Sequence, residues 1–314
     1  MAVRSLNPSL TVVMSMPEFD LQLYLRERTE LVDAALQTWL PAADLLPGTL
    51  HQSMRYSVFA GGKRLRPVLM MAAAEAVGGR AEQVQHAACA MEMLHTYSLI
   101  HDDLPAMDND DYRRGRLTSH KVYGEAMAIL SGDALLTETF RLLADPRANA
   151  DVEPATTTRV IELIARCAGS RGMVGGQVVD MESEGKEIDL PTLEYIHTHK
   201  TGALILAAIQ VGGLLAGGDD DDLKALTRYG EAAGLAFQVA DDILDVVGDQ
   251  ATLGKQVGAD QARGKATYPA LIGLEAARQR ADELCLLALD ALSRFGAKSE
   301  PLRQIAHYIV KRTS

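Results

Sequence analysis

Between its turn signals this chain is filled with apolar residues spaced three and four apart, the period of a helix buried along one face. The stretches AEQVQHAACAMEMLHTYSLIHDDL (81–104) and LTRYGEAAGLAFQVADDILDVV (226–247) show it best. Alternating β-branched residues are hard to find, and aromatic residues make up only 5 %. Ala and Leu dominate the apolar set, which favours helix by propensity as well. Breakers mark the boundaries: Pro41 to Gly48, Gly78-Gly79, DPRANADVEP (145–154), SEGKEIDLP (183–191), GGDDDD (217–222) and GAKSEP (296–301) read as loops. There is no strand-helix alternation, no solenoid repeat and no long linker. One all-α domain is expected.

At 314 residues the chain is long enough to bury a sizeable core. Its net charge of −11 argues against a nucleic-acid or anionic-membrane surface. No apolar run approaches the ~20 residues of a membrane span, so stable membrane insertion is not expected. Residues 1–15 carry one arginine and a weak apolar patch. They read as a loose, disordered tail ahead of a domain over 16–314, with Met16 as an alternative start. Cys89, Cys167 and Cys285 lie far apart in helical stretches, which suggests reduced structural thiols in the cytoplasm.

Two features mimic sites. The acidic run in GGDDDDLKAL suits a helix cap and the positive helix N-terminus better than a metal loop. Gly169, Gly172 and Gly175 imitate a nucleotide loop, but no strand precedes them.

The informative stretch is LIHDDLPAMDNDDYRRGR (99–116), with five aspartates in ten positions and then Arg113, Arg114 and Arg116. Asp102 and Asp103 end a long apolar helix, and Pro105 should distort it. Asp108 converges with Asp102 only if the Leu-Pro-Ala-Met insert bends the backbone. A second cluster, FQVADDILD (237–245), sets Gln238, Asp241, Asp242 and Asp245 inside an apolar helix. Of these, Gln238, Asp241 and Asp245 share one face. Carboxylates among Phe237, Val239, Ile243 and Leu244 are expensive unless a cation offsets them. Two such clusters suggest facing walls of a cavity that holds hard divalent cations. Oxygen donors without a Cys/His set favour Mg²⁺, which takes substrate phosphate oxygens as further ligands.

Anion-binding pieces are present too. AGGKRLRPVLMM places Lys63, Arg64 and Arg66 at a helix start, where cations oppose the helix dipole unless a phosphate joins them. His95 lies two turns before Asp102 on the same face. Lys200 and Thr201 open the apolar helix KTGALILAAI, and Lys255 and Lys265 follow the second acidic cluster. These groups exceed what one diphosphate needs.

Together, GGKRLRP (61–67), DDLPAMD (102–108), KTG (200–202) and FQVADDILD (237–245), in this order, closely resemble the short-chain trans-prenyl diphosphate synthases, above all the bacterial farnesyl diphosphate synthases. The resemblance spans roughly Met16 to the C-terminus. It implies a polyprenyl synthase domain over 16–314, a bundle of antiparallel helices around a central cavity, and a homodimer. It further implies that Asp102, Asp108 and Asp241, helped by Asp103, Asp242 and Asp245, hold several Mg²⁺ ions on an allylic diphosphate, with Mn²⁺ as a substitute. Arg113, Lys200, Thr201, Gln238, Lys255 and Lys265 would contact the same group. Gly62, Lys63, Arg66, His95 and Arg114 would hold isopentenyl diphosphate. The implied reaction ionises the allylic diphosphate, joins the two chains head to tail and loses a proton. Tyr97 and Ser98 would floor the chain pocket, although an ideal wheel turns Tyr97 about 140° from Asp102.

The proline-containing insert in DDLPAMD also occurs in plant-type geranylgeranyl synthases, so C15 and C20 products both stay open. The bulk of Tyr97 favours C15, farnesyl diphosphate. The His101-Asp102 pair suggests a rival, an HD-type metal-dependent phosphohydrolase. The further metal ligands it needs cannot be assembled from His51, His86, His120, His197, His199 and His307. An inactive partner subunit is a third reading, against which both intact aspartate motifs argue.

Overall fold

The computed structural model describes residues 19–247 and 265–311; the 1–15 tail and Lys255 lie outside them. Helices run in order as α1 (Leu21–Trp39), α2 (Gly48–Val58), α3 (Leu65–Ala76), α4 (Gln85–Asp102), α5 (Ser119–Tyr123), α6 (Glu125–Leu143) and α7 (Pro154–Ala168). There follow α8 (Met173–Ser183), α9 (Leu190–Ile196), α10 (Ala203–Leu215), α11 (Asp220–Val247), α12 (Tyr268–Ile272), α13 (Leu274–Ala291) and α14 (Glu300–Lys311). Strand among the described residues is confined to one two-residue antiparallel pair, β1 (Tyr112–Arg113) with β2 (Arg116–Leu117). The all-α expectation holds.

Helix α4 is buried nearly all round, from His86 to Ile100, as its lack of a polar face requires. It forms the centre of one core with α1, α2, α6 and α7. A second core gathers α11, α13 and α14. Helices α3 and α10 form the wall between them. Met70, Met71 and Ala74 face the first core, whereas Val68, Leu69, Ala72 and Ala73 face the second. The α3 and α10 backbones approach so closely that a Cβ on Gly212 would occupy the space of the Met70 carbonyl. Only glycine fits there.

The acidic run before α11 is a cap, as its position predicts. The Asp222 N–H donates to Asp219 Oδ1 at 2.7 Å, and the Asp219 N–H donates to Asp222 Oδ2 at 3.1 Å. One loop expectation fails. GAKSEP is not a plain loop: a 3₁₀ segment, Ser293–Ser299, runs into α14 at Glu300, with Gly296 at φ 60° making the bend. All three cysteines are free and buried, and burial pushes the Cys89 thiol up to about 12. Among the described residues no helix is long and apolar enough to cross a membrane.

Candidate active site

The end of α4 shows how the first acidic cluster is shaped. Proline at 105 cannot continue the helix ladder, and the chain turns back at once. The Asp108 N–H donates to the Asp102 carbonyl at 2.8 Å, and the Met107 and Asn109 N–H groups both reach the Leu104 carbonyl. Asn109 takes the left-handed conformation, φ 52°. The insert thus bends the backbone as convergence requires and returns Asp108 beside Asp102. Burial raises the Asp102 carboxyl pKa, the charge of Asp108 adds to it, and Lys200 opposes it. Asp103 has another partner. Its Oδ1 accepts from Arg113 Nε at 2.7 Å, with Arg113 Nη2 at 2.6 Å.

Arg113 stands on β1, and the β1–β2 connection is Arg114-Gly115, both at positive φ. That is the two-residue hairpin geometry that matches strand twist, with Gly115 at the second position. The turn projects Arg114 back to the Gly61-Gly62 loop, where its Nη1 donates to the Gly61 carbonyl. A Cβ on Gly62 would occupy the space of the Arg114 guanidinium.

Behind Arg114 lies a recess rich in cations. Arg66 is half-buried, and its buried Nε has no hydrogen-bond partner. Desolvation, with Arg114 adding and Glu92 and Asp241 opposing, lowers its pKa to about 10. Half-buried His95 is held well below the usual histidine range by desolvation and then by Arg66, Arg114, Arg113 and Arg64. Lys63 lies 5.8 Å over the Tyr308 ring of α14. Arg64, read in the sequence as one more phosphate-binding cation, is structural. It is 3 % exposed and donates to Glu92 at 2.7 Å, to Asp33 at 2.9 Å and to the Val58 carbonyl at 2.7 Å. Glu92 is also buried, so losing either partner would strand a buried charge.

The opposite wall is α11. Gln238, Asp241 and Asp245 line the same cavity of about 2250 Å³ as Asp102 and Asp108. Asp242 also borders the cavity but is turned about 100° from Asp241 and is buried. Its Oδ2 accepts from His197 Nε2 at 2.9 Å and from the Tyr268 N–H at 2.8 Å.

Lys200 and Thr201 do not begin an α-helix. They sit in a π-helical turn, His197–Gly202, wedged between α9 and α10. Helix α8 packs directly on that turn, because a Cβ on Gly176 would overlap the Lys200 backbone nitrogen. Lys200 Nζ donates to Asp180 Oδ2 at 2.7 Å. Lys265 Nζ lies 3.7 Å from that same oxygen and 3.7 Å from Asp108 Oδ1. Burial opposes the Lys200 charge, but Asp180 and Asp102 outweigh it and raise its pKa. The two lysines likewise overcome burial at Asp180 and lower its pKa. Asp180 escaped the sequence reasoning, though GGQVVD carries the signal used for α11: a carboxylate at the end of an apolar helical run. His197 and Tyr268 carried no such signal.

Tyr97 is buried and also borders the cavity, with His101 edge-on to its ring at 5.7 Å. Ser98 borders it too, its hydroxyl donating to the His95 carbonyl at 2.8 Å. His101 Nε2 instead bonds the Ile129 carbonyl at 3.1 Å.

Among the described residues no three His, Cys, Asp or Glu side chains are gathered into a ready-made metal cage. The aspartates are divided between two walls, with Lys200 and Lys265 on the cavity between them. An oxygen-only, open donor set fits Mg²⁺, which keeps waters and completes its shell with phosphate oxygens. It fits neither zinc nor copper.

Residues 47–301 match the polyprenyl synthetase family. The chain belongs to it. Within this family, the large subunit of a heterodimeric geranylgeranyl pyrophosphate synthase from Arabidopsis thaliana is 47 % identical over 298 residues, covering 94 % of this chain and 80 % of the relative. The farnesyl diphosphate synthase of Geobacillus stearothermophilus is 46 % identical over 265 residues, covering 84 % and 89 %. Among solved structures, an FPP/GFPP synthase from Zymomonas mobilis superposes with a TM-score of 0.82 at 37 % identity, covering 92 % of this chain and 98 % of that one. The polyprenyl synthetase membership agrees with the motif resemblance. The relatives' names divide between product lengths.

Proposed function

We propose that the chain is a prenyltransferase that condenses isopentenyl diphosphate with dimethylallyl and then geranyl diphosphate to give farnesyl diphosphate. The observation that carries this reading is the recess of Arg66, Arg114 and His95, a group of cations and a histidine suited to a second anion, beside a cavity with two acidic walls. Asp102, Asp108 and Asp241, with Asp245 on the same face of α11, are the residues that would hold Mg²⁺ at the allylic diphosphate. When bound, Mg²⁺ neutralises charge on the departing pyrophosphate. Lys200, Lys265, Arg113, Thr201 and Gln238 bind that group and steady it as its C–O bond breaks.

In the recess, Lys63, Arg66 and Arg114 hold the isopentenyl diphosphate so that its double bond faces the allylic carbon. The alkene electron pair forms the new C–C bond, and the departed pyrophosphate takes the proton that is lost. The cavity wall at Tyr97 and Leu99 keeps out water, which would trap the cation as an alcohol.

Incubation of the protein with isopentenyl and dimethylallyl diphosphates plus Mg²⁺, followed by sizing of the products, tests the reading. Mainly C15 supports it, mainly C20 makes the protein a geranylgeranyl synthase like the Arabidopsis relative, and no condensation refutes it.

The recess assignment has its own test. Arg66→Ala should raise KM for isopentenyl diphosphate roughly tenfold or more, since a hydrogen bond to a charged group contributes about 1.5–3 kcal/mol. KM for the allylic partner should change far less. Equal effects on both refute the assignment.

The three buried thiols suit a reducing cytoplasm. Self-association is supported by Val122, Ile129 and Leu130 on α5 and α6, which are apolar yet 44 %, 44 % and 53 % exposed. Sedimentation equilibrium should give twice the chain mass; a monomer at micromolar concentration would count against it.

A further inference from the structure

Asp242 belongs by sequence to the acidic cluster, yet its surroundings are those of a clamp. Both donors on it, His197 Nε2 and the Tyr268 N–H, meet the same oxygen, Oδ2. Two donors use the two lone pairs of that oxygen. Both side chains of the Asp242–His197 pair are nearly buried, at 7 % and 8 % exposure.

The clamp closes on itself. The Tyr268 ring lies parallel to His197 at 5.8 Å, and the Tyr268 hydroxyl donates to Glu194 Oε1 at 2.7 Å. Glu194 is on α9, just before the π-helical turn. One carboxylate therefore ties three segments: α11, the π-helical turn, and the chain entering α12.

The two tied segments each carry a lysine three residues from the tie. Lys200 follows His197, and Lys265 precedes Tyr268. Both ammonium groups arrive at one oxygen of Asp180, at 2.7 and 3.7 Å.

We infer that Asp242 is a positioning residue and not a metal ligand: through His197 and Tyr268 it fixes Lys200 and Lys265 as one unit for the allylic diphosphate. The kinetic half of this inference rests on the function proposed above; the structural half does not. It is tested on the full chain by amide hydrogen exchange without ligand, together with steady-state kinetics. His197→Ala should speed exchange in peptides covering 197–202 and 265–268. It should also raise KM for the allylic diphosphate about tenfold, with KM for isopentenyl diphosphate within about twofold. His197→Gln, whose amide N–H can replace Nε2–H, should restore both. Asp242→Asn should leave the Mg²⁺ concentration for half-maximal rate within about twofold of wild type, whereas Asp241→Asn should raise it.

Unchanged exchange at 265–268 in His197→Ala overturns the clamp. So does a Mg²⁺ requirement in Asp242→Asn that shifts as far as in Asp241→Asn. If the wild-type protein formed no prenyl product, the exchange data would still decide the clamp, and the function alone would fall.

Discussion

Asp102→Ala and Asp241→Ala should each lower kcat by at least about a hundredfold while leaving the helical circular dichroism intact. The size follows from losing charge stabilisation in the transition state, about 3 kcal/mol or more. Asp102 is already under electrostatic pressure: burial and its neighbour Asp108 both raise its pKa, and Lys200 only partly relieves it. A cation between the walls removes that conflict, so the carboxylates should be far more useful to the reaction than to the fold. Excess EDTA should abolish turnover of the wild type, and Mg²⁺ should restore it. Near-normal turnover of either variant, or full activity in EDTA, would end the metal assignment.

Tyr97→Ala should move the main product from C15 to C20 and longer while the first condensation persists. The ring is buried at the cavity border, packed edge-on against His101, and Ser98 borders the cavity beside it. Close-packed interiors leave no spare volume for another C5 unit where a tyrosine ring stands. Truncation to alanine opens that volume without touching the aspartates. Product sizing after phosphatase treatment reads the result directly. A variant still stopping at C15 would place the floor elsewhere.

Much of this was legible in the residues because the site and the fold speak different chemical languages. Carboxylates in DDILD contradict the apolar period of their helix, and the contradiction is itself the signal. The same logic would have found Asp180. Side-chain pattern could not separate Arg64 from Arg66, two cations two residues apart at one helix start. What separates them is tertiary: Glu92 and Asp33 arrive from distant helices to neutralise Arg64, and none arrives at the Nε of Arg66. The π-helical turn was equally hidden. The residues of KTGALILAAI read as the opening of an ordinary helix, and nothing in their spacing shows the π-helical turn over His197–Gly202 on which α8 packs at Gly176.

The partnerless Nε of Arg66 also reaches beyond the active site. A buried guanidinium nitrogen without a partner, with the like charge of Arg114 acting on it, is a defect that folding alone leaves unrepaired and that a bound diphosphate would repair. A ligand that binds only the native state adds stability as the logarithm of its concentration over its dissociation constant. At a hundredfold excess that is about 2.7 kcal/mol, a sizeable share of the roughly 5–15 kcal/mol that holds a typical protein folded. If the recess holds a diphosphate as proposed, thermal unfolding of this chain should shift upward with added inorganic pyrophosphate.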